Sequence, residues 1–178
     1  MIVCGLDLES TGVDVTKDRI VELAMVTQEL ETGDTKISFS RRFNPEMHIA
    51  AKATAVHGIA DADVFGEPLF SRSAPVIGKM LERVDLLVMH NGIDFDGPLL
   101  MNEFGRCGVT LTRSPKMFDT MRAGVWATPD GKFPRLGELC YALGIDYDSE
   151  KAHAALYDTN VMLQAFRKGY ECGLWNFS

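Results

Sequence analysis

Residues 2–12 read Ile-Val-Cys-Gly-Leu-Asp-Leu-Glu-Ser-Thr-Gly. Ile2 to Leu8 is a short apolar run of strand length, and Ser10-Thr11-Gly12 after it is loop chemistry. On a strand, alternate side chains share a face, so Leu6 and Leu8 point one way and Asp7 and Glu9 the other. The two acids then stand on Cβ atoms about 6.5–7 Å apart. They repel each other, and partial burial sharpens the repulsion. A divalent cation relieves it most directly, because Asp and Glu oxygens are the preferred ligands of Mg²⁺ and Mn²⁺. Taken alone, the pair reads equally well as a strand end with both acids solvated in the loop.

Outward from this strand, Ile20 to Leu30 reads as a second strand, although its Ala, Met and Glu content also suits a helix. Thr32-Gly33-Asp34 marks a turn. Thr35 to Phe43 alternates Ile37, Phe39, Arg41 and Phe43 as a half-buried third strand would. The chain then changes character. Ser73 to Arg83 has helical apolar spacing, Leu86 to Met89 is a buried fourth strand, and Pro98 to Cys107 is helical again. Met117-Phe118 suggests a short fifth strand. Leu136 to Leu143 is a short helix closed by Gly144, and a last helix runs from about Ala154 to Tyr170. A meander followed by helix–strand–helix units predicts an α/β fold, with a mixed five-stranded sheet flanked by helices.

The 178 residues contain no linker or repeat, which suits a single domain over 1–178. Apolar residues at 46% and charged residues at 24% exclude a disordered chain. Eighteen Lys and Arg against 25 Asp and Glu give a formal charge of −7, which excludes a wholly basic nucleic-acid coat and leaves room for local basic patches and bound cations. Cys4, Cys107, Cys140 and Cys172 form no Cys-x-x-Cys pair and have no His at zinc-ligand spacing, so they read as reduced thiols. The N-terminal residues have no basic stretch of a secretory signal, and no apolar run reaches the roughly 20 residues of a membrane span. The expectation is a soluble, cytoplasmic protein with no membrane partner.

Two further constellations could carry chemistry. His90-Asn91-Gly92-Ile93-Asp94-Phe95-Asp96 begins where the fourth strand ends, and sites in open α/β sheets gather at the C-terminal ends of strands. Asp94 and Asp96 each read more simply as helix caps when taken alone. His153-Ala154-Ala155-Leu156-Tyr157-Asp158 opens the last helix. Five helical residues turn through about 500°, so His153 and Asp158 share a site only if the helix starts after the histidine. The plain alternative is a surface histidine beside an acid that favours the helix dipole. In combination the residues say more. Four carboxylates with a neighbouring histidine are the parts of two-metal phosphoryl chemistry, in which the histidine serves as general base.

These residues resemble the DEDDh 3′–5′ exonucleases, a ribonuclease H-like superfamily that includes the proofreading epsilon subunit of bacterial DNA polymerase III. Asp7 to Gly12 is similar to the first motif, with Ser10 in place of the common Thr. His90-Asn91 through Asp96 is similar to the second and His153 through Asp158 to the third. His57-Gly58-Ile59, Phe118-Asp119-Thr120 and Leu136-Gly137-Glu138-Leu139 match as well. The second motif has one residue more than most members, a spacing similar to the three-prime repair exonucleases of animals. It points to Asp96, after the aromatic, as the metal ligand, with Asp94 as the second choice.

The resemblance implies a ribonuclease H-like three-layer fold. Two Mg²⁺ or Mn²⁺ ions would be held by Asp7, Glu9, Asp96 and Asp158, with His153 deprotonating the attacking water. Ser10, Thr11 and Gly12 would lie near the terminal 3′-hydroxyl, His57 and Ile59 would line the terminal nucleotide pocket, and Asn91 would orient the loop. Asp119 reads as a helix cap outside this set. The implied substrate is a DNA 3′ end, single-stranded or frayed, with RNA as the alternative. The implied protein partner is a polymerase or a second copy of the chain, and a polymerase-associated interaction module without catalysis is the competing function. Arg41, Arg42, Lys52, Arg113, Lys116, Arg122, Lys132 and Arg135 are candidate backbone contacts, as is the 126–135 loop. A structural Ca²⁺ site would need an Asp-x-Asp-x-Asp-Gly loop, which the sequence lacks.

Overall fold

In the computed structural model, which describes residues 1–175 and 177, the opening run is a strand, β1 (Ile2–Ser10). β2 (Ile20–Glu29) and β3 (Thr35–Arg42) follow it as the expected meander, and both pairings are antiparallel. β4 (Leu86–Met89) and β5 (Lys116–Asp119) then add in parallel on the other side of β1. The sheet order is β3-β2-β1-β4-β5, the mixed five-stranded sheet that the pattern predicts.

Helices cover both faces of the sheet. α3 (Phe70–Leu81) and α4 (Asp96–Arg106) pack on one, where Leu6 and Leu8 meet Phe70, Ile77 and Phe104. α6 (Leu136–Ala142) and α7 (Ala155–Glu171) pack on the other, where Val3, Val26 and Val88 meet Leu139, Leu163 and Phe166. α1 (Ala51–His57) and α2 (Asp61–Val64) were not legible as helices: α1 buries none of its residues, so it has no apolar stripe to read. α5 (Thr120–Ala123) is a single turn that runs into a 3₁₀ turn over Val125–Ala127. Asp119 caps it through the Met121 and Arg122 amides, as expected.

β3 departs from the expected half-buried strand. Only Phe39 is partly buried and Ile37 is 40% exposed. The strand lies at the sheet edge, and the helices that flank the sheet lie over its middle. Alternation is thus a weaker sign of burial on an edge.

β1 and α7 approach closely at Gly5. A Cβ built there would stand 2.7 Å from Leu163 Cγ and 3.0 Å from Thr159 Cγ2. Gly5→Val is expected to push α7 off the sheet, at a cost of about 1–3 kcal/mol. That lowers the melting temperature by roughly 2–10 °C in a chain of this length. An unchanged thermal melt would show that the contact is slack.

Candidate active site

β1 outruns β4. Their parallel register ends with Gly5 opposite Val88, so Asp7 and Glu9 lie beyond the last β4 partner. They share the face of Gly5, over which α7 packs, while Leu6 and Leu8 fill the opposite core. The Leu8 N–H, with no β4 neighbour there, donates instead to Asp96 Oδ1 at 3.2 Å. Asp96 stands in the first turn of α4 and is buried. Asp94 turns the other way. It is exposed and pairs with Arg122 at 2.6 Å.

α7 starts at Ala155, after the histidine, which is the condition for His153 and Asp158 to meet. His153 has φ +63°, and its backbone N–H donates to Asp158 Oδ2 at 2.6 Å. The backbone reversal folds the loop over the start of α7 and leaves the imidazole exposed. Asp158 is buried, and its other oxygen accepts from the Tyr147 hydroxyl at 3.5 Å.

The electrostatics bear the mark of crowded anions. Burial, then Asp96, Glu9, Asp158 and Glu22 in that order, push the Asp7 carboxyl well above the usual carboxylate range. Burial, then Asp158, Glu22 and Asp96, push Glu9 up to about 8. Burial raises Asp96 against the opposing pull of its backbone N–H donors. It raises Asp158 too, against the His153 N–H. Each of these acids resists ionising until a proton or a cation neutralises the set.

That excess charge, carried on hard oxygen donors, is what a divalent ion of the Mg²⁺ type requires. The donors fit such ions in kind and in charge. They are not drawn round one point: among the described residues no three acidic, histidine or cysteine side chains form a ready metal cage. Two of the acids spend an oxygen on a backbone N–H, Asp96 on Leu8 and Asp158 on His153.

Glu22 was not legible in the sequence. It lies opposite Glu9 in the β1–β2 register, with its side chain 13% exposed. One oxygen accepts from Arg42 Nε at 3.0 Å and the other from the Ala155 N–H at 3.3 Å. It thereby ties β2 and β3 to the start of α7. The only signal was an acid between buried apolar residues of a strand, and its meaning needs the strand register. Asp119 also does more than cap α5, since it accepts from the Asn91 and Ile93 amides and so holds the loop between β4 and α4. Asn91 sits at the turn of that loop with φ +66°.

The first-motif loop is braced from behind. Ser10 Oγ donates to the Gly12 carbonyl and Thr11 Oγ1 to Asp18, and the Asp18 carboxylate leaves no space for a Cβ at Gly12. His57 joins this loop through Nε2, which donates to the Ser10 carbonyl at 3.1 Å, while Nδ1 accepts from the Ile59 amide. Ile59 is buried behind it with Val21, Ile49 and Val64. Of the candidate basic residues, Arg113 and Lys116 fall at the wrong end of the sheet. Lys116 opens β5 opposite Leu86, whereas the acids gather where the parallel strands end. Arg42, Arg122 and Lys132 are paired with Glu22, Asp94 and Glu138.

The Exonuclease family (RNase_T) matches residues 4–166. The chain is 28% identical over 162 residues to the DNA polymerase III PolC-type of Ureaplasma parvum, covering 90% of this chain and 11% of that protein. It is 28% identical over 174 residues to the protein of that name in Bacillus subtilis, covering 94% and 12%. It thus spans about a tenth of the length of these curated relatives. Its fold is that of E. coli exonuclease I solved with a dT13 oligonucleotide, at TM-score 0.80 and 18% identity over 94% of this chain and 40% of that one. A moderately thermophilic exonuclease I from Methylocaldum szegediense superposes equally well, at TM-score 0.80. Among the described residues no helix is long and apolar enough to cross a membrane.

Proposed function

The chain belongs to the Exonuclease family, and from that premise we propose that residues 1–178 act as one domain that removes nucleotides from the 3′ ends of DNA. Single-stranded or frayed ends are the preferred substrate and nucleoside 5′-monophosphates the product. One observation carries the reading: β1, α4 and α7 bring four largely buried acids to one end of the sheet, where Asp96 and Asp158 add to the charge felt by Asp7 and Glu9, beside a histidine whose backbone is fixed by Asp158.

Asp7, Glu9, Asp96 and Asp158 would hold two Mg²⁺ or Mn²⁺ ions, which supply Lewis acidity and positive charge for phosphodiester hydrolysis. His153, exposed on its loop, takes the proton of the attacking water on its imidazole and releases it to solvent. Ser10, Thr11 and Gly12 present backbone to the terminal sugar, with His57 alongside and Ile59 supporting it from the core. Asn91 shapes the loop that delivers Asp96. The relatives named DNA polymerase III support a polymerase partner, and the solved structure with dT13 supports a single-stranded DNA substrate.

Matched DNA and RNA oligonucleotides labelled at either end test this with Mg²⁺. The 3′ label is expected to leave first, as a mononucleotide, and faster from DNA. Release of the 5′ label first would overturn the polarity, and faster RNA cleavage would overturn the substrate. His153→Asn is the companion variant, because asparagine tolerates a positive φ. Loss of a general base lowers kcat by about 10²–10⁴-fold. Undiminished turnover in that variant would remove His153 from the chemistry.

A further inference from the structure

Between α6 and α7 the chain makes a loop, residues 145–154, that carries His153. Two tyrosines grip it. Tyr147 rests on Gly137 of α6, where an added Cβ would come within 2.9 Å of its ring. Its ring lies 5.9 Å from that of Tyr157, which stands in the first turn of α7. The Tyr157 hydroxyl accepts from the Asp148 N–H at 2.6 Å. Asp148 then organises the turn that follows, with its carboxylate accepting from the Glu150 amide and its carbonyl from the Lys151 amide. The loop is therefore fastened to α7 at three places, to Asp158 through the Tyr147 hydroxyl, to Tyr157 at residue 148 and to Asp158 again at residue 153.

We propose that Tyr157 is a positioning residue that holds the histidine-bearing loop in register with the carboxylates, acting on turnover through His153 alone. This rests on the reading of His153 as the base. A base on an exposed loop must return to one place at every turnover, because misplacement by about 1 Å can cost 10²-fold in rate. The Asp158 contact fixes the end of the loop nearest the helix. Tyr147 holds the other end against Gly137 and Asp158, and the stretch between them, residues 148–152, shifts without the hydroxyl clasp on Asp148. The arrangement also accounts for Gly137, since a side chain there would displace the ring that backs Tyr157.

The test is Tyr157→Phe, which keeps the ring and removes the hydroxyl. A single lost hydrogen bond predicts a kcat lower by about 3–10-fold with KM within about twofold. Amide exchange should quicken over residues 148–153 and stay unchanged in the sheet. The decisive measurement is a double-mutant cycle. In the His153→Asn background, Tyr157→Phe should cost nothing further. Losses that multiply, or a normal kcat in Tyr157→Phe, overturn the positioning role. If His153→Asn by itself keeps full turnover, the base reading fails first and this role falls with it, so the single variant tells the two failures apart.

Discussion

Asp7→Asn is expected to lower phosphodiester cleavage by about 10³-fold or more, while the chelated protein becomes harder to melt. The first effect follows from the ligand set. Charge stabilisation by a bound cation is worth several kcal/mol at the transition state, and each ~1.4 kcal/mol is tenfold in rate. The second effect follows from the proton affinity of Asp7, which burial and then Asp96, Glu9, Asp158 and Glu22 raise. An ionised Asp7 burdens the fold near neutral pH, and an amide of the same shape carries no such burden. Oligonucleotide turnover in Mg²⁺ and a thermal melt in chelator, both near pH 8, measure the two. Reduced activity accompanied by a lower melting temperature would mean that Asp7 is structural rather than a site for cations.

The second large effect is the removal of divalent ions, and its pH dependence has a definite sign. Chelation should abolish turnover at any pH. It should also expose the cost of ionising buried acids, to which the neighbouring carboxylates add at Asp7 and Glu9. Asp7, Glu9, Asp96 and Asp158 all have folded-state affinities for protons above their ordinary values, with Glu9 near 8. The folded chain therefore binds more protons than the unfolded one, and stability is lost as pH rises through the folded values. His57 and His90 act in the opposite sense. Burial lowers both, so they add stability as pH climbs toward the ordinary histidine value of about 6.5. Burial pushes the Cys4 and Cys140 thiols up to about 12, which concerns only alkaline conditions. The carboxylate trend is thus read between about pH 6.5 and 8.5. There the melting temperature in chelator should fall with pH, and the gain on adding Mg²⁺ should grow, because ligands must lose protons to bind. A chelated melt that is flat or rising across this window would show that burial and the neighbouring charges do not hold these acids' proton affinities up as described.

The site was legible in the sequence where chemistry and local structure coincide. Asp7 and Glu9 announce themselves because polar side chains interrupt an apolar strand at a spacing of two. The start of α7 after His153 could be stated as a condition, because helix geometry allows the two residues to meet in no other way. Glu22 stayed hidden because its meaning comes from facing Glu9 across an antiparallel pair. The tyrosine grip on the 145–154 loop stayed hidden for the same kind of reason, since it joins side chains to a backbone N–H nine residues away. α1 escaped because a helix without buried residues has no periodicity to detect. β3 was read as half-buried because alternation records the faces of a strand and not the extent of the layer lying over it.

β1 starts at Ile2 and α7 ends at Glu171, yet the acids they bring must meet before the proposed reaction can run. A ribosome delivers these elements at opposite times. A domain generally folds as a unit, so the sheet around β1 stays open on one face until α7, and Asp158 with it, has emerged. A product terminated before residue 155 keeps three of the four acids but loses Asp158 together with the helix that covers Val3, Val26 and Val88, so one truncation removes a wall of the site and a wall of the core.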